Sequence, residues 1–432
     1  MNTPTIDNTI CAIATGAGGA LGIIRVSGSR SIIIVDNIFR GKTPLTQVPS
    51  HTIHFGNILE KDGGVIDEAL VSVFIAPHSY TGEDSIEISL HNSPYILQRV
   101  IQRLTDEGAR LAEPGEYTMR AFLNKKVDLA QAEAVADLIS AQSKVAHDIA
   151  LSQMRGGVSQ RLTGLRQQLL RLATLLELEL DFSEEDVEFA DREELLSLAT
   201  QTADEIHRLS STYSDGNALM QGVPVAIIGA PNVGKSTLLN ALVGDDKAIV
   251  APEAGTTRDT VEDTVLIHGI LFRIIDTAGL RHTTNTIEQQ GISRAKSAAQ
   301  KARIILMVSE PGVPYPDIEV RPDQTVIRIL NKTPQFQAIN GLGLSELKQQ
   351  MADSLPSAQD HSVLITNQRH KAALDCAHAS LSRVINGLNS GLTPDLLAED
   401  LRLSLSQLGE ITGEITSDDI LHSVFTNFCI GK

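Results

Sequence analysis

The stretch Gly229-Ala230-Pro231-Asn232-Val233-Gly234-Lys235-Ser236-Thr237 fits the phosphate-loop pattern G-x-x-x-x-G-K-[ST], and its surroundings decide the fold. The apolar run Val223 to Ile228 ahead of it reads as a buried strand, and the run Ser236 to Val243 behind it reads as a helix. Strand, glycine loop and helix in that order are the context the motif requires. The glycines let backbone N–H groups approach phosphate oxygens, and the helix N-terminus adds favourable partial charge. Lys235 is expected to reach the β- and γ-phosphates and the Ser236 hydroxyl to ligate Mg2+. The stretch reads as a nucleotide-binding site rather than a glycine turn that happens to match.

Outward from this loop, the 432 residues leave room for roughly two to four domains. Apolar content of 42% and charged content of 21% fit a soluble globular chain. With no tryptophan and 3% aromatic residues, aliphatic side chains must fill the cores. The net charge of -17 argues against broad non-specific nucleic-acid binding but leaves room for a local RNA site. Cys11, Cys376 and Cys429 are odd in number, scattered and without metal-ligand spacing, which suits a reduced, cytoplasmic setting. No apolar run reaches the ~18 residues of a membrane span, and the start MNTPTIDNTI does not read as a signal peptide.

Residues 1–117 carry glycines and short β-like runs, Leu21–Val26, His51–Leu59 and Leu70–Ile75, with a helix from Pro94 to Glu107. This is an α+β pattern. Its polar clusters Ser79–Asp84 and Glu113–Glu116 read as loops, and turn chemistry alone would account for them. Residues 118–217 are helical, with Leu165, Leu169, Leu172, Leu176 and Leu180 on one face. The acidic run Ser183–Asp186 interrupts them as a solvated loop or cap. Residues 218–358 return to alternating strands and helices, with a hairpin Thr260–Ile267 and Ile270–Ile275 across His268-Gly269. Ile304–Val308 and Val326–Leu330 read as buried parallel strands. Residues 359–432 are again helical, with a stripe of Leu401, Leu405, Leu408, Ile411 and Ile415 and a last helix from Ser417 to near Phe428. The fold class expected is therefore multi-domain α/β and α: an N-terminal α+β domain, a helical domain in two parts, and an inserted doubly wound phosphate-loop domain.

Two further signatures follow the loop. Asp276-Thr277-Ala278-Gly279 places an Asp at a strand end, where it holds the Mg2+ shell, and Gly279 can meet a γ-phosphate with its N–H. Between them lies Gly255-Thr256-Thr257-Arg258-Asp259, a threonine-bearing segment suited to a switch. Three motifs in this order indicate a GTPase-like switch rather than a kinase. Leu280 stands where many such switches carry a water-orienting Gln, so another group must position the attacking water.

The whole chain resembles the tRNA uridine-5-carboxymethylaminomethyl modification GTPases of the MnmE (TrmE) family. The matching pieces are Gly22–Gly28, Tyr80–Glu87, Pro114–Thr118, Arg120–Asn124, Asp128–Ala134 and the terminus Phe428-Cys429-Ile430-Gly431-Lys432. The resemblance implies a K+-dependent GTP hydrolase working with tRNA and an FAD-dependent partner, MnmG, in a heterotetramer. It implies modification of C5 of the wobble uridine with a tetrahydrofolate one-carbon unit, of 5-formyl or 5,10-methylene type, and a homodimer. By motif, residues 1–117 would bind the folate and dimerise. Arg25, Glu87, Lys126 and Lys432 would contact the folate, as cations and a carboxylate suit its glutamate tail and pterin; without the family, each reads as a surface ion pair. Asn232 would ligate K+ with the carbonyls of Ala251, Glu253 and Thr256, while Thr257 joins Ser236 on Mg2+. Glu288 matches the catalytic glutamate that orients water, with Arg281 and Arg258 as lesser candidates. Cys429 is either a reactive thiol or an inert one.

The guanine-reading motif departs from its pattern. Asn331-Lys332-Thr333-Pro334 has proline where the motif N-K-x-D has the carboxylate that accepts from guanine N1 and N2. Ala338, in the later loop Gln337–Gly341, is the remaining donor for guanine O6. The interval between the two is short, as though a strand or helix had been pared away. Weaker guanine affinity or relaxed base choice is expected. Two other readings stand beside the enzyme: an RNA- or ribosome-associated assembly switch, and a degenerate structural paralogue.

Overall fold

The computed structural model describes residues 8–16, 18–181, 192–245, 263–275, 296–355, 363–426, 428 and 431. It divides into two compact units, Met1–Ala136 with Thr412–Lys432, and Asp137–Ile411.

The first unit is built on a seven-stranded sheet of order β3-β4-β5-β6-β2-β1-β7. Its strands are β1 (Ile10–Ile13), β2 (Leu21–Ser27), β3 (Phe39–Gly41), β4 (Thr52–Leu59), β5 (Val65–Phe74), β6 (Ser85–His91) and β7 (Arg110–Leu111). All neighbours are antiparallel except β1 and β7. The alternation of side chains along β2, β5 and β6 turns Ile24, Val26, Val71, Val73, Ile86 and Ile88 onto one face. Helices α1 (Ser31–Asp36) and α2 (Pro94–Asp106) cover that face, the latter with Leu97, Val100 and Leu104. On the other face Phe55 and Leu70, direct cross-strand partners, are exposed, as is Ile53. Helices α3 (Glu116–Leu123) and α4 (Leu129–Ser140) follow. The cluster Glu113–Glu116 is thus not all loop. Gly115, in the left-handed region at φ 69°, caps α3, and Glu116 is its buried first residue.

The second unit opens with helices α5 (Lys144–Met154), α6 (Gly157–Asp181), α7 (Arg192–Ser211) and α8 (Tyr213–Gln221). Leu165, Leu169, Leu172 and Leu176 of α6 are buried as the spacing predicts; Ser183–Asp186 lies outside the described residues. A five-stranded sheet of order β12-β11-β8-β10-β9 comes next. It is made of β8 (Val223–Ile228), β9 (Asp263–Ile267), β10 (Ile270–Ile274), β11 (Ile304–Ser309) and β12 (Thr325–Leu330). Only β9 runs antiparallel. β8 and β11 are apolar on both sides because both faces are covered: Val225, Ile227 and Leu306 on one, Ala226, Ile228 and Ile305 on the other. Helix α5 adds Val145 and Ile149 to the first of these cores, and the Val145 N–H donates to Gly269 at the hairpin turn (3.1 Å). Helices α9 (Lys235–Asp245), α10 (Leu344–Asp353), α11 (Gln368–Ser390) and α12 (Pro394–Thr412) complete the unit, with α7 packed along α11. In α12 Leu401, Leu408 and Ile411 are buried, but Ile415 lies beyond the helix end and is exposed.

The chain returns to the first unit with α13 (Asp418–Phe425), capped by Ser417 and shorter than the run to Phe428 that was expected. The fold class read from the sequence is the one observed. No helix among the described residues is long and apolar enough to cross a membrane.

Candidate functional site

Parallel pairing of β8 with β11 sets Gly229 against Val308, and a Cβ on Gly229 would collide with the Val308 carbonyl. Past it the loop enters the left-handed region twice, at Asn232 (φ 65°) and Gly234 (φ 97°). Asn tolerates that conformation better than most residues. Gly234 also has no room for a Cβ, which would meet the Asn331 side-chain amide. Lys235 begins α9 and curls back, its Nζ donating to the carbonyls of Gly229 (2.9 Å) and Ala230 (2.7 Å). Burial holds its ammonium below the ordinary lysine pKa. Among the described residues no carboxylate pairs with it; the backbone carbonyls alone hold a cation at the mouth of the loop. Val233 is fully buried, whereas Ser236 and Thr237 are half-buried at the start of α9.

Asn331, only 5% exposed, ties three segments together at the end of β12. Its Nδ2 donates to Val233 O (2.9 Å), its Oδ1 accepts from the Ala338 N–H (3.1 Å), and its own N–H donates to Ser309 O (2.8 Å). Lys332 (φ 60°) reaches over the loop, its Nζ donating to Asn232 O (3.0 Å) and pairing with Glu310. Thr333 and Phe336 close a turn around Pro334 through Thr333 N–H to Phe336 O (3.1 Å) and Phe336 N–H to Thr333 Oγ1 (3.2 Å). A single 3-10 turn, Ala338–Asn340, follows directly. β12 is therefore an edge strand, with Leu330 exposed. The Ala338 N–H, expected to be available to guanine O6, is instead engaged by Asn331. The shortened interval brings Ala338 only seven residues after Asn331, within reach of its amide.

Ala251, Glu253, Thr256, Thr257, Arg258, Asp276, Thr277, Ala278, Gly279, Arg281 and Glu288 lie outside the described residues, as do Cys429 and Lys432.

In the first unit Arg25 and Glu87 are cross-strand partners on β2 and β6. Both Arg25 Nε (3.0 Å) and Nη2 (2.7 Å) donate to Glu87 Oε1, and Nη1 donates to Gly431 O (3.3 Å). The guanidinium lies over the rings of Tyr80 and Tyr117, 5.4 and 5.6 Å from their centroids. Gly431 (φ 94°) fits here because a Cβ would stand 2.6 Å from Ile13 O. Lys126 lays its stem near Gly82 and donates from Nζ to Pro77 O (3.0 Å). The fold thus gathers Arg25, Glu87 and the residue before Lys432, and holds Lys126 on the loop that carries Tyr80.

Beneath them is a buried polar network, more than the turn chemistry that the sequence of Ser79–Asp84 and Glu113–Glu116 suggests. Arg120 donates to both carboxylate oxygens of Glu83 (3.1 and 3.0 Å), to Glu116 Oε1 (2.9 Å) and to Asn8 O (2.8 Å). Arg110 adds a bidentate pair to Glu116, whose Oε2 also accepts from the Glu113 N–H (3.0 Å). Glu83 accepts in turn from Ser27 Oγ (2.9 Å), which meets Thr81 Oγ1 (2.7 Å). Burial pushes the Glu116 carboxyl up, but bonds from Arg110, the Glu113 N–H and Arg120 outweigh it and hold its pKa below the ordinary value. The i,i+4 spacing of Glu116 and Arg120 was the available signal.

Comparison with known proteins bears on both regions. A family model described as the MnmE helical domain matches residues 129–429, and one described as the GTP-binding protein TrmE N-terminus matches residues 9–126. A Bacteroides fragilis protein named tRNA modification GTPase MnmE is 46% identical over 464 residues, covering 98% of this chain and 99% of its own. A Cytophaga hutchinsonii protein of the same name is 44% identical over 462 residues, covering 100% of each. Both alignments exceed the 432 residues of this chain, so these relatives carry residues for which it has no counterpart. Among solved structures, the G domain of the T. maritima FeoB iron transporter matches 31% of this chain and 98% of its own at 24% identity; its TM-score of 0.21 is too low for a likeness of fold.

Proposed function

This chain belongs to the MnmE family of tRNA modification GTPases, and on that premise we propose that it hydrolyses GTP at the Gly229–Thr237 loop in the service of tRNA modification. The observation that carries the reading is Lys235: a partly buried ammonium that, among the described residues, is bonded only to the carbonyls of Gly229 and Ala230 suits an incoming polyphosphate. The glycines that admit no Cβ beside Val308 and Asn331 form a cradle that fits such a group. Asn331 and Lys332 hold the loop from the base side.

Mg2+, held by Ser236 and Thr257, would neutralise charge between the phosphates. K+, held by the Asn232 side chain and the carbonyls of Ala251, Glu253 and Thr256, would add positive charge where other GTPases use an arginine. Asp276, Thr277, Ala278 and Gly279 form the second switch in this reading. Glu288 orients the attacking water in place of the absent Gln. Arg25, Glu87, Lys126 and Lys432 hold the tetrahydrofolate derivative, a role supported by the Arg25–Glu87–Gly431 grouping.

A homodimer through residues 1–117 is supported by the exposed pair Phe55 and Leu70 with Ile53. Partnership with MnmG, tRNA as substrate and a cytoplasmic setting complete the proposal. So does the division into 1–117, 118–217, 218–358 and 359–432.

Steady-state GTP turnover with Mg2+, in K+ and in Na+ as sole monovalent cation, tests it. Turnover stimulated by K+ is expected. No turnover in either salt would leave the degenerate scaffold as the better account.

A further inference from the structure

Guanine and adenine differ along one edge: guanine offers an acceptor at O6 and a donor at N2, adenine a donor at N6, and both share the N7 acceptor. A site that selects guanine needs an acceptor facing its N–H groups or a donor facing O6. Among the described residues, the base side of this site, read as part of a nucleotide-binding loop, offers no carboxylate for the guanine N–H groups, and its Ala338 N–H is already engaged. Residues 331–343, NKTPQFQAINGLG, contain no Asp or Glu. The nearby carboxylate of Glu310 is paired with Lys332. Pro334 occupies the position of the missing acid, exposed in the Thr333–Phe336 turn. The Ala338 N–H is 3.1 Å from Asn331 Oδ1, and Thr333 Oγ1 lies between Leu330 O (3.1 Å) and the Phe336 N–H (3.2 Å). Asn331 Nδ2 gives one hydrogen to Val233 O. Its second hydrogen is suited to N7, the acceptor both purines carry.

We propose that this site binds purine nucleoside triphosphates without selecting guanine, and that Pro334 is the position that decides it. Affinity then comes from the phosphate loop, Lys235 and the Asn331 brace, which address groups that GTP and ATP share. The edge position of β12 fits this: the chain passes from Asn331 to Ala338 through one tight turn that holds no acid.

Competition of GDP, IDP and ADP against N-methylanthraniloyl-GDP on the full-length protein with Mg2+ tests the proposal. The three diphosphates are expected to compete within about 30-fold of one another. A GDP preference over ADP above that bound would overturn it. Pro334→Asp, at an exposed turn position whose φ other residues readily adopt, is expected to raise the GDP:ADP ratio at least ~10-fold. Pro334→Ala should leave the ratio unchanged, separating the new carboxylate from any effect on the turn. An unmoved ratio in Pro334→Asp would remove Pro334 as the deciding position. If N-methylanthraniloyl-GDP fails to bind at all, the nucleotide-site reading beneath the proposal falls, which is a different result from equal competition.

Discussion

Arg120 in the first unit and Lys235 in the second are both cations withdrawn from water, and they are held in opposite ways. Arg120 sits in a closed set: two carboxylates, Glu83 and Glu116, and the Asn8 carbonyl surround it, and Arg110 balances the second carboxylate. Lys235 is held by two neutral carbonyls, and burial already disfavours its charge. A closed set of opposite charges fixes local structure and has nothing left to offer a ligand. A cation without a counter-charge gains most when an anion arrives. Arg25 lies between these cases: it is paired with Glu87, yet both side chains remain partly exposed, at 18% and 29%. The sequence alone reads Lys235 as functional, Glu113–Glu116 as turn chemistry and Arg25, apart from the resemblance, as a surface ion pair. The fold closes Arg120 among carboxylates, sets Lys235 on neutral carbonyls and leaves the Arg25–Glu87 pair partly exposed.

The contrast can be broken most directly at Glu116. Glu116→Ala strands Arg110 and Arg120 and should destabilise the first unit by about 3–5 kcal/mol. Local hydrogen exchange across β2, β6 and α3 is expected to rise while GTP turnover stays near that of the parent. Acid probes the same group. Its folded pKa lies below the ordinary 4.5, so the stability it contributes is complete above that value and is lost as pH falls through the folded value. Glu116→Gln should therefore flatten the acid limb of the first unit's protection below about pH 4.5. An unchanged limb would mean that the network does not act as a unit.

At the open cation, Lys235→Ala should lower GTP turnover by roughly 100- to 1,000-fold without disturbing exchange in either unit. A loss of structure instead would make Lys235 an architectural residue like Arg120. Asn331→Ala removes the brace from Val233 O and Ala338 N, at about 1–3 kcal/mol, and should weaken nucleotide binding by roughly 10- to 100-fold. Isothermal titration with GDP reads this directly. The smallest structural effect is expected from Arg25→Ala, under about 1 kcal/mol, because its pair is partly exposed. If the folate proposal holds, that variant should still lose about 10-fold or more in affinity for 5-formyltetrahydrofolate. Large destabilisation with unaltered folate binding would place Arg25 with the closed network.

Much of this was legible in advance. The loop, its strand and its helix follow from a pattern whose physical requirements are local. The strands around it are near-continuous apolar runs, which both faces of a parallel sheet demand. The leucine spacing of α6 and the Ser417 cap are also local signals. The polar network is not legible in the sequence because Ser27, Glu83, Arg110, Glu116 and Arg120 are spread over nearly a hundred residues and meet through the pairing of β2 with β6 and of β1 with β7. Ile415 continues the apolar spacing of α12 but lies past its end, because spacing alone does not mark where a helix stops.

The sequence by itself determined that a loop of the phosphate-loop pattern stands at the head of a helix, that proline replaces the acid of the N-K-x-D pattern, and that the cores are aliphatic. Each of these is a matter of residue type at fixed short spacing. Only the tertiary structure decided which charges are closed upon each other and which are left open. It decided, too, that Ala338 gives its N–H to Asn331 and that the C-terminal glycine lies against Ile13 and Arg25. Hydrogen-bond satisfaction is settled by neighbours in space, and chain order does not specify which distant carbonyl or carboxylate will be within 3 Å.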